Sequence, residues 1–402
     1  MEKSTPVPDL LAPDTFLGGP PHAIFDRLRE SDPIYGQPNP VNGGIAWSLT
    51  RFADIRAVST DTERFTSSLG VQYPTPAEEV AARHDNLVWH DPPRHTRSRS
   101  FAAMAFSPRV VARFAGWIRE LCVKILDDVQ TQGTIDAVPA IAAELPGQVI
   151  TTIIGVPEQD RHEIIGLANE FFGRLEPEIG MERAMAAPDK IREYMKQLSL
   201  LRAREPGVDM MSELLGATFE GEPIAEAELT ELAATLVMAG FETTHTLIAQ
   251  GLLLMAQDPD VRRQVEDAPA DHMGAVVEEM LRYVSPIMHM ARTAKEDLEL
   301  EGKRIAKGDR VLLWYAAGNR DPQIFDEPHR FDGARGKRNH LAFGVGPHFC
   351  LGNHLARLEA EILFDEMRKR GVRLELDWEP QRARGLFVNA LRKLPMRVVS
   401  RR

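Results

Sequence analysis

The run Phe343-Gly344-Val345-Gly346-Pro347-His348-Phe349-Cys350-Leu351-Gly352 constrains this chain more than any other stretch. It sets one of only two cysteines among three glycines, directly ahead of a helical pattern. Leu351, Leu355, Leu358 and Ile362 recur at helical spacing. Cys350 would thus lie at a helix N-terminus, where the dipole and free N–H groups favour thiolate. The glycines let the backbone come close to a flat group around this soft ligand. A buried structural cysteine, the ordinary role of a lone thiol, explains those glycines poorly.

The other patterns that carry chemistry lie far away, at about 91–99, 239–244 and 279–292. If they serve one site, all 402 residues form a single domain, against a length prior of about two or three. Apolar periodicity predicts helices at about 92–105, 108–132, 138–155, 158–175, 182–203, 209–216, 226–257, 259–267 and 271–284. Another runs from Leu351 to about Arg370, and a short one spans Pro20 to Arg29. Strand patterns fall in β-rich parts at about 44–50, 298–315 and 371–400. The expected fold class is mainly α with a small β-rich portion. Thr66 to Asp91 reads as a long mixed loop, and such loops inside a compact domain are usually functional.

Composition excludes several classes. Hydrophobic residues at 43% and charged residues at 27% are an ordinary globular balance. Two cysteines make no disulfide framework, and Cys122 sits in an apolar helical stretch, so a reduced, cytoplasmic setting is expected. A net charge of −11 argues against a nucleic-acid or membrane-surface binder. Met1 to Phe16 lacks the cationic start and apolar run of a signal peptide. The apolar region Leu232 to Met255 is broken by Glu242, Thr243, Thr244, His245 and Gln250. That suits a central buried helix and no membrane anchor.

Two pairs stand out beside Cys350. Glu279 and Arg282 lie off the apolar face of their helix, three apart, so their side chains can meet. Alone such a pair is a solvated surface contact worth roughly 0.2–0.5 kcal/mol. Glu242-Thr243 places an acid and a hydroxyl in mid-helix beside Ala239 and Gly240, which is costly unless something polar faces them. A threonine bonded back to its own helix is the plain alternative. A zinc-type module is excluded, because no second cysteine has ligand spacing.

Together these stretches resemble the cytochrome P-450 superfamily, the haem-thiolate monooxygenases, over nearly the whole chain. The resemblance rests on Phe343, Gly344, Gly346, His348, Cys350 and Gly352, on Glu279 with Arg282, and on Ala239 to Thr244. His90-Asp91-Pro92-Pro93-Arg94-His95-Thr96-Arg97-Ser98-Arg99 adds a pattern typical of soluble bacterial members. It implies a triangular single-domain prism with haem b between the central and cysteine-loop helices. Cys350 would be the proximal iron ligand, its thiolate favouring O–O cleavage of bound dioxygen. Phe343 would pack near the sulfur, with Gly344, Gly352 and Ala239 giving the haem close passage. His95, Arg99, Arg292 and His348 would hold the propionates, arginine suiting a buried carboxylate best. Arg94 and Arg97 stay a solvated basic face. Thr243 and Glu242 would direct protons to the distal side, and Glu279 and Arg282 would be structural.

The resemblance also implies a substrate pocket over the distal face, drawn from Leu69 to Trp89, part of Phe171 to Leu175, Thr235 to Ala239, Ile287 to Met290 and Leu386 to Val388. It includes Leu87, Val88, Thr235, Met238, Ile287, Met288, His289, Phe387 and Val388. These are mainly apolar, so an apolar small molecule is expected: a terpenoid, steroid, alkyl chain or aromatic. His289 is the polar exception, either bonding a substrate oxygen or turned away. No flavin, nicotinamide or iron–sulfur motif occurs, so a separate ferredoxin with its reductase would supply electrons. It would dock near the cysteine loop, on a patch of Arg94, Arg97 and Arg357. The expected protein is a monomer. Peroxygenase or O-dealkylase chemistry is the catalytic alternative, and a haem-thiolate sensor the non-enzymatic one. The intact Glu242-Thr243 pair argues against obligate peroxide use and against a sensor.

Overall fold

The computed structural model describes residues 9–82, 86–103, 106–336 and 339–400. In chain order its longer helices are α1 (His22–Ser31), α2 (Phe52–Thr60), α3 (Arg94–Ala103), α4 (Ala115–Gln130) and α5 (Glu144–Ile154). They continue with α6 (Arg161–Phe172), α7 (Met181–Arg204), α8 (Glu226–Gln257), α9 (Met273–Val284) and α10 (Asn353–Arg370). Most ends fall within a few residues of those the periodicity predicts. The expected helix at 108–132 breaks into two short turns, Pro108–Val111 and Ala112–Phe114, ahead of α4.

The central element is α8. Its apolar residues run all the way round, and Leu232, Val237, Phe241, Leu247, Ile248 and Leu252 are all buried. A helix of that pattern is stable only within a core. It packs against α5, α6, α7, α9 and α10. Glu226 and Glu228 sit at its positive end. Asp258 then caps the next helix by accepting from the Asp260 and Val261 amides, which stops α8 sharply. Among the described residues α8 is the one helix long and apolar enough to cross a bilayer, and 83% of that window is buried in protein.

The strands are β1 (Ile34–Pro38), β2 (Ile45–Leu49), β3 (Phe65–Thr66), β4 (Thr134–Asp136), β5 (Met290–Ala294), β6 (Arg310–Leu313), β7 (Val372–Leu376) and β8 (Pro395–Ser400). Short hairpins, such as Leu298–Leu300 with Lys303–Ile305, complete the set. One sheet runs β1-β2-β6-β5-β3 and a second runs β7-β8-β4. Among the described residues only β2 and β6 pair in parallel, Arg310 opposite Ala46. Antiparallel pairing sets Val311 of β6 opposite Arg292 of β5. The long loop from Thr66 to Asp91 holds a short helix at Ala77–Ala82 and a turn at Leu87–Trp89.

Candidate active site

The cysteine loop is built on two left-handed glycines, Gly344 (φ 68°) and Gly346 (φ 80°). A Cβ on Gly346 would stand 3.0 Å from the Ser59 carbonyl oxygen, so the loop lies directly on the end of α2. The Cys350 amide donates to the Phe343 carbonyl at 2.8 Å, folding the loop back on itself. Asn353, the first residue of α10, donates its amide to the Cys350 carbonyl at 2.9 Å. Burial pushes the Cys350 thiol up, against the Gly352 amide and the charges of Arg99 and Arg357, which lower it. The expected dipole effect is therefore outweighed by desolvation, and a bound metal is what would make the thiolate.

Arg357 does not join a basic docking patch as expected. Its guanidinium lies 4.4 Å over the Phe343 ring and pairs with buried Glu278. His340 meets the other Glu278 oxygen at 3.0 Å. Burial raises Glu278, but the bonds from His340 and Arg357 overcome it and hold the carboxyl at about 2. No feature of the sequence singled out Glu278 or His340. Arg97 is also engaged, 3.4 Å from Glu228, and Arg94 is exposed.

Beside the cysteine loop, two arginines, Arg99 and Arg292, and two histidines, His95 and His348, gather from distant segments. The His95 and His348 rings lie 4.2 Å apart, and Ser67 Oγ reaches His348 Nε2 at 3.2 Å. Burial is the main force lowering both histidines, His95 to about 4 and His348 to about 2. Arg99 and Arg292 add to it in each case, so these four groups share one field. Buried Arg292 donates to the neighbouring Ala291 carbonyl at 2.8 Å. Asp91, the nearby acid, is held by Thr66 and the Ser67 amide. Buried positive charge of this kind calls for an anionic ligand.

A gap in the packing of α8 completes the site. Ala239 is exposed and Gly240 and Thr243 half-buried, whereas residues on either side are buried. A Cβ on Gly352 would likewise meet nothing within 4 Å. A soft thiol, a cationic cradle for two carboxylates and open space along a helix fit the donor needs of haem b. The Thr243 hydroxyl donates to the Ala239 carbonyl at 2.9 Å, the back-bond that the sequence left as the alternative. Its oxygen still has lone pairs to accept a proton donor. Glu242 is buried and has His245 Nδ1 at 3.6 Å from Oε2.

Glu242 also borders a narrow cleft that is partly open to solvent. Tyr73, Phe171, Phe172, Leu175, Leu386, Phe387 and Val388, all in the expected segments, line it together with the polar Gln72, Arg174 and Arg384. Others of the expected pocket residues are occupied elsewhere. Thr235 accepts from Asn86 at 2.9 Å, tethering the long loop to α8. Leu87 and Met238 lie in the main core, and Ile287 bridges to Val388. Val88 is half-buried on the Leu87–Trp89 turn. Met288 packs in the cluster of Phe25, Tyr73 and Trp314. His289 is fully buried; its Nδ1–H donates to the Leu386 carbonyl at 2.8 Å, and Nε2 accepts from the Tyr73 amide at 3.1 Å. It has no hydrogen bond left for a substrate.

Glu279 and Arg282 form a bidentate pair at 2.7 and 2.8 Å with both side chains buried. Arg282 also donates to the carbonyls of Asn319 and Pro328, and Arg335 brings a second guanidinium to Glu279 at 3.2 Å. The pair thus ties α9 to the irregular stretch that leads into the cysteine loop. Arg335 carried no signal in the sequence.

Comparison with known proteins agrees with this geometry. A sequence profile of the cytochrome P450 family matches residues 176–268 and 271–369. Linalool 8-monooxygenase of Pseudomonas putida is 32% identical, over 96% of this chain and 98% of that one. Methyl-branched lipid omega-hydroxylase of Mycobacterium tuberculosis is also 32% identical, over 92% of this chain and 90% of that one. A Mycobacterium marinum cytochrome P450 in complex with pseudoionone superposes with a TM-score of 0.88 at 30% identity, covering 98% and 99% of the two chains. Sequence, fold and the layout around Cys350 agree: this chain belongs to the cytochrome P450 family.

Proposed function

We propose that this P450 monooxygenase hydroxylates an apolar small molecule of terpenoid, steroid or lipid type, with electrons from a separate ferredoxin. The observation that carries this reading is the aromatic and aliphatic opening beside Glu242. Aromatic and aliphatic walls with a few polar groups suit a largely apolar substrate. Relatives named for linalool and for methyl-branched lipids support it. Haem b, held through a cysteine thiolate, would supply the redox centre at which substrate, dioxygen, two electrons and two protons yield hydroxylated product and water.

In this scheme Cys350 is the iron ligand, and Phe343 and Arg357 pack beside it. His95, Arg99, Arg292 and His348 hold the propionates. Glu242 takes up protons at the opening, and Thr243 passes them on at the gap in α8. With its own hydrogen committed to Ala239, the Thr243 oxygen acts first as an acceptor. Arg109 and Arg113 are exposed, and Pro108–Val111 packs on α10, the helix that follows Cys350. They replace Arg357 as the cations that would steer an acidic ferredoxin. A single cytoplasmic, monomeric domain is part of the same proposal.

The test is turnover with a ferredoxin and reductase on a panel of terpenes, steroids and fatty acids. Wild type should convert at least one to an alcohol. Thr243→Ala should lower product per NADH and release peroxide instead, because a positioned proton-transfer group contributes about 10²–10⁴-fold to the step it serves. Equal yields in the two proteins would remove Thr243 from proton delivery.

A further inference from the structure

We infer that His245 is a positioning residue for Glu242: its ring fixes one carboxylate oxygen and leaves the other to exchange protons. The inference rests on the reading of Glu242 as the proton donor. His245 follows Glu242 by three residues on α8, and its Nδ1 stands 3.6 Å from Glu242 Oε2. Both side chains are 5% exposed.

Neither His245 ring nitrogen has a hydrogen-bond partner. That sets it apart from His289, whose nitrogens are both met by backbone groups. Leaving a buried polar atom unmet is costly. The ring packs 5.5 Å from Phe241, so a phenylalanine would fill the same space without that cost. Among the described residues, Glu242 is the acid recorded at ion-pair distance from His245.

The geometry gives the imidazole a use. With hydrogen on Nδ1, it donates to Oε2, and a small side-chain rotation closes 3.6 Å to a hydrogen bond. Catalytic hydrogen bonds often tighten in this way when a site fills. Glutamate has three rotatable side-chain bonds and here borders a partly open cleft, so an untethered carboxylate would swing. Held at Oε2, it presents Oε1 in a fixed direction. Oε1 takes a proton from water at the opening and releases it toward Thr243. Glu242 returns to carboxylate, and His245 keeps its own proton throughout.

The test uses substrate-free holoenzyme and four variants: His245→Phe, His245→Gln, Glu242→Gln and the Phe–Gln double variant. The wild-type minus Glu242→Gln infrared difference spectrum identifies the Glu242 carboxyl bands. His245→Phe should shift those bands, and His245→Gln, which keeps a donor, should move them back. With linalool as the probe, His245→Phe should raise peroxide released per NADH by about threefold or more, and the double variant should not exceed Glu242→Gln, as for residues acting as one unit. Unshifted Glu242 bands in His245→Phe overturn the inference. So does wild-type peroxide release in His245→Phe while Glu242→Gln is uncoupled. Wild-type peroxide release in Glu242→Gln instead removes the underlying reading of Glu242.

Discussion

Both nitrogens of His289 are bonded to backbone groups, which turns a candidate substrate contact into a strut. The ring joins the Tyr73 amide in the long loop to the Leu386 carbonyl, two segments that border the opening. Sequence placed His289 in the right region but could not say which way its ring turned. A histidine's partners here lie about 100 and 200 residues away, at separations of 97 and 216. The same held for Arg357, whose place over Phe343 depends on Glu278. Burial, the largest cause, lowers His289 from 6.5 to about 3, Arg310 contributes in the same direction, and the Leu386 bond opposes it. Below about pH 6.5 the unfolded chain therefore binds a proton that the folded chain refuses. This stability is full above pH 6.5 and is lost as the pH falls toward 3, at up to about 1.4 kcal/mol per unit. Urea unfolding at pH 7 and pH 5 measures it. Wild type should lose more stability than His289→Gln between the two, and equal losses would contradict the assignment.

At the scale of elements, the helices were legible and much of the sheet was not. α8 runs over the 226–257 expected, because an all-round apolar pattern, acidic first turn and capping Asp258 all lie within the segment. β5 was missed for the opposite reason. β5 finds its partners in β6 and in β3, more than 200 residues away, and its sequence, MARTA, has no alternation to betray it. The cysteine loop is an intermediate case. Its glycines were evident, but what they lie against was not. Gly346 combines φ 80° with the Ser59 carbonyl 3.0 Å from a would-be Cβ. Both the backbone strain and the close contact penalise any side chain there. Gly346→Ala should lower stability by about 1–3 kcal/mol and weaken haem retention. Chemical unfolding and the haem-to-protein absorbance ratio report the two effects, and a variant matching wild type in both would show the loop to be loosely seated.

For the whole molecule, the site is a property of long-range assembly. Arg99 comes from α3, Arg292 from β5, His348 and Cys350 from the glycine loop, and Thr243 from the middle of α8. Each is unremarkable in its own segment; an arginine on a strand or a threonine in a helix usually faces solvent or core. The sequence motifs brought the cofactor within reach through their resemblance to the haem-thiolate family. The apolar opening was partly legible: the resemblance placed Tyr73, Phe171, Phe172 and Leu386 in segments expected beside the substrate, but which of their side chains share one opening depends on how α6 and the long loop pack beside Leu386. The central claim is that all of these serve a haem whose iron Cys350 binds. The absorption spectrum of the reduced carbon-monoxide complex tests it most directly. Wild type should show the thiolate-type Soret band, and Cys350→Ser, with circular dichroism confirming its fold, should lose it. An unchanged band in a folded Cys350→Ser protein would contradict the account.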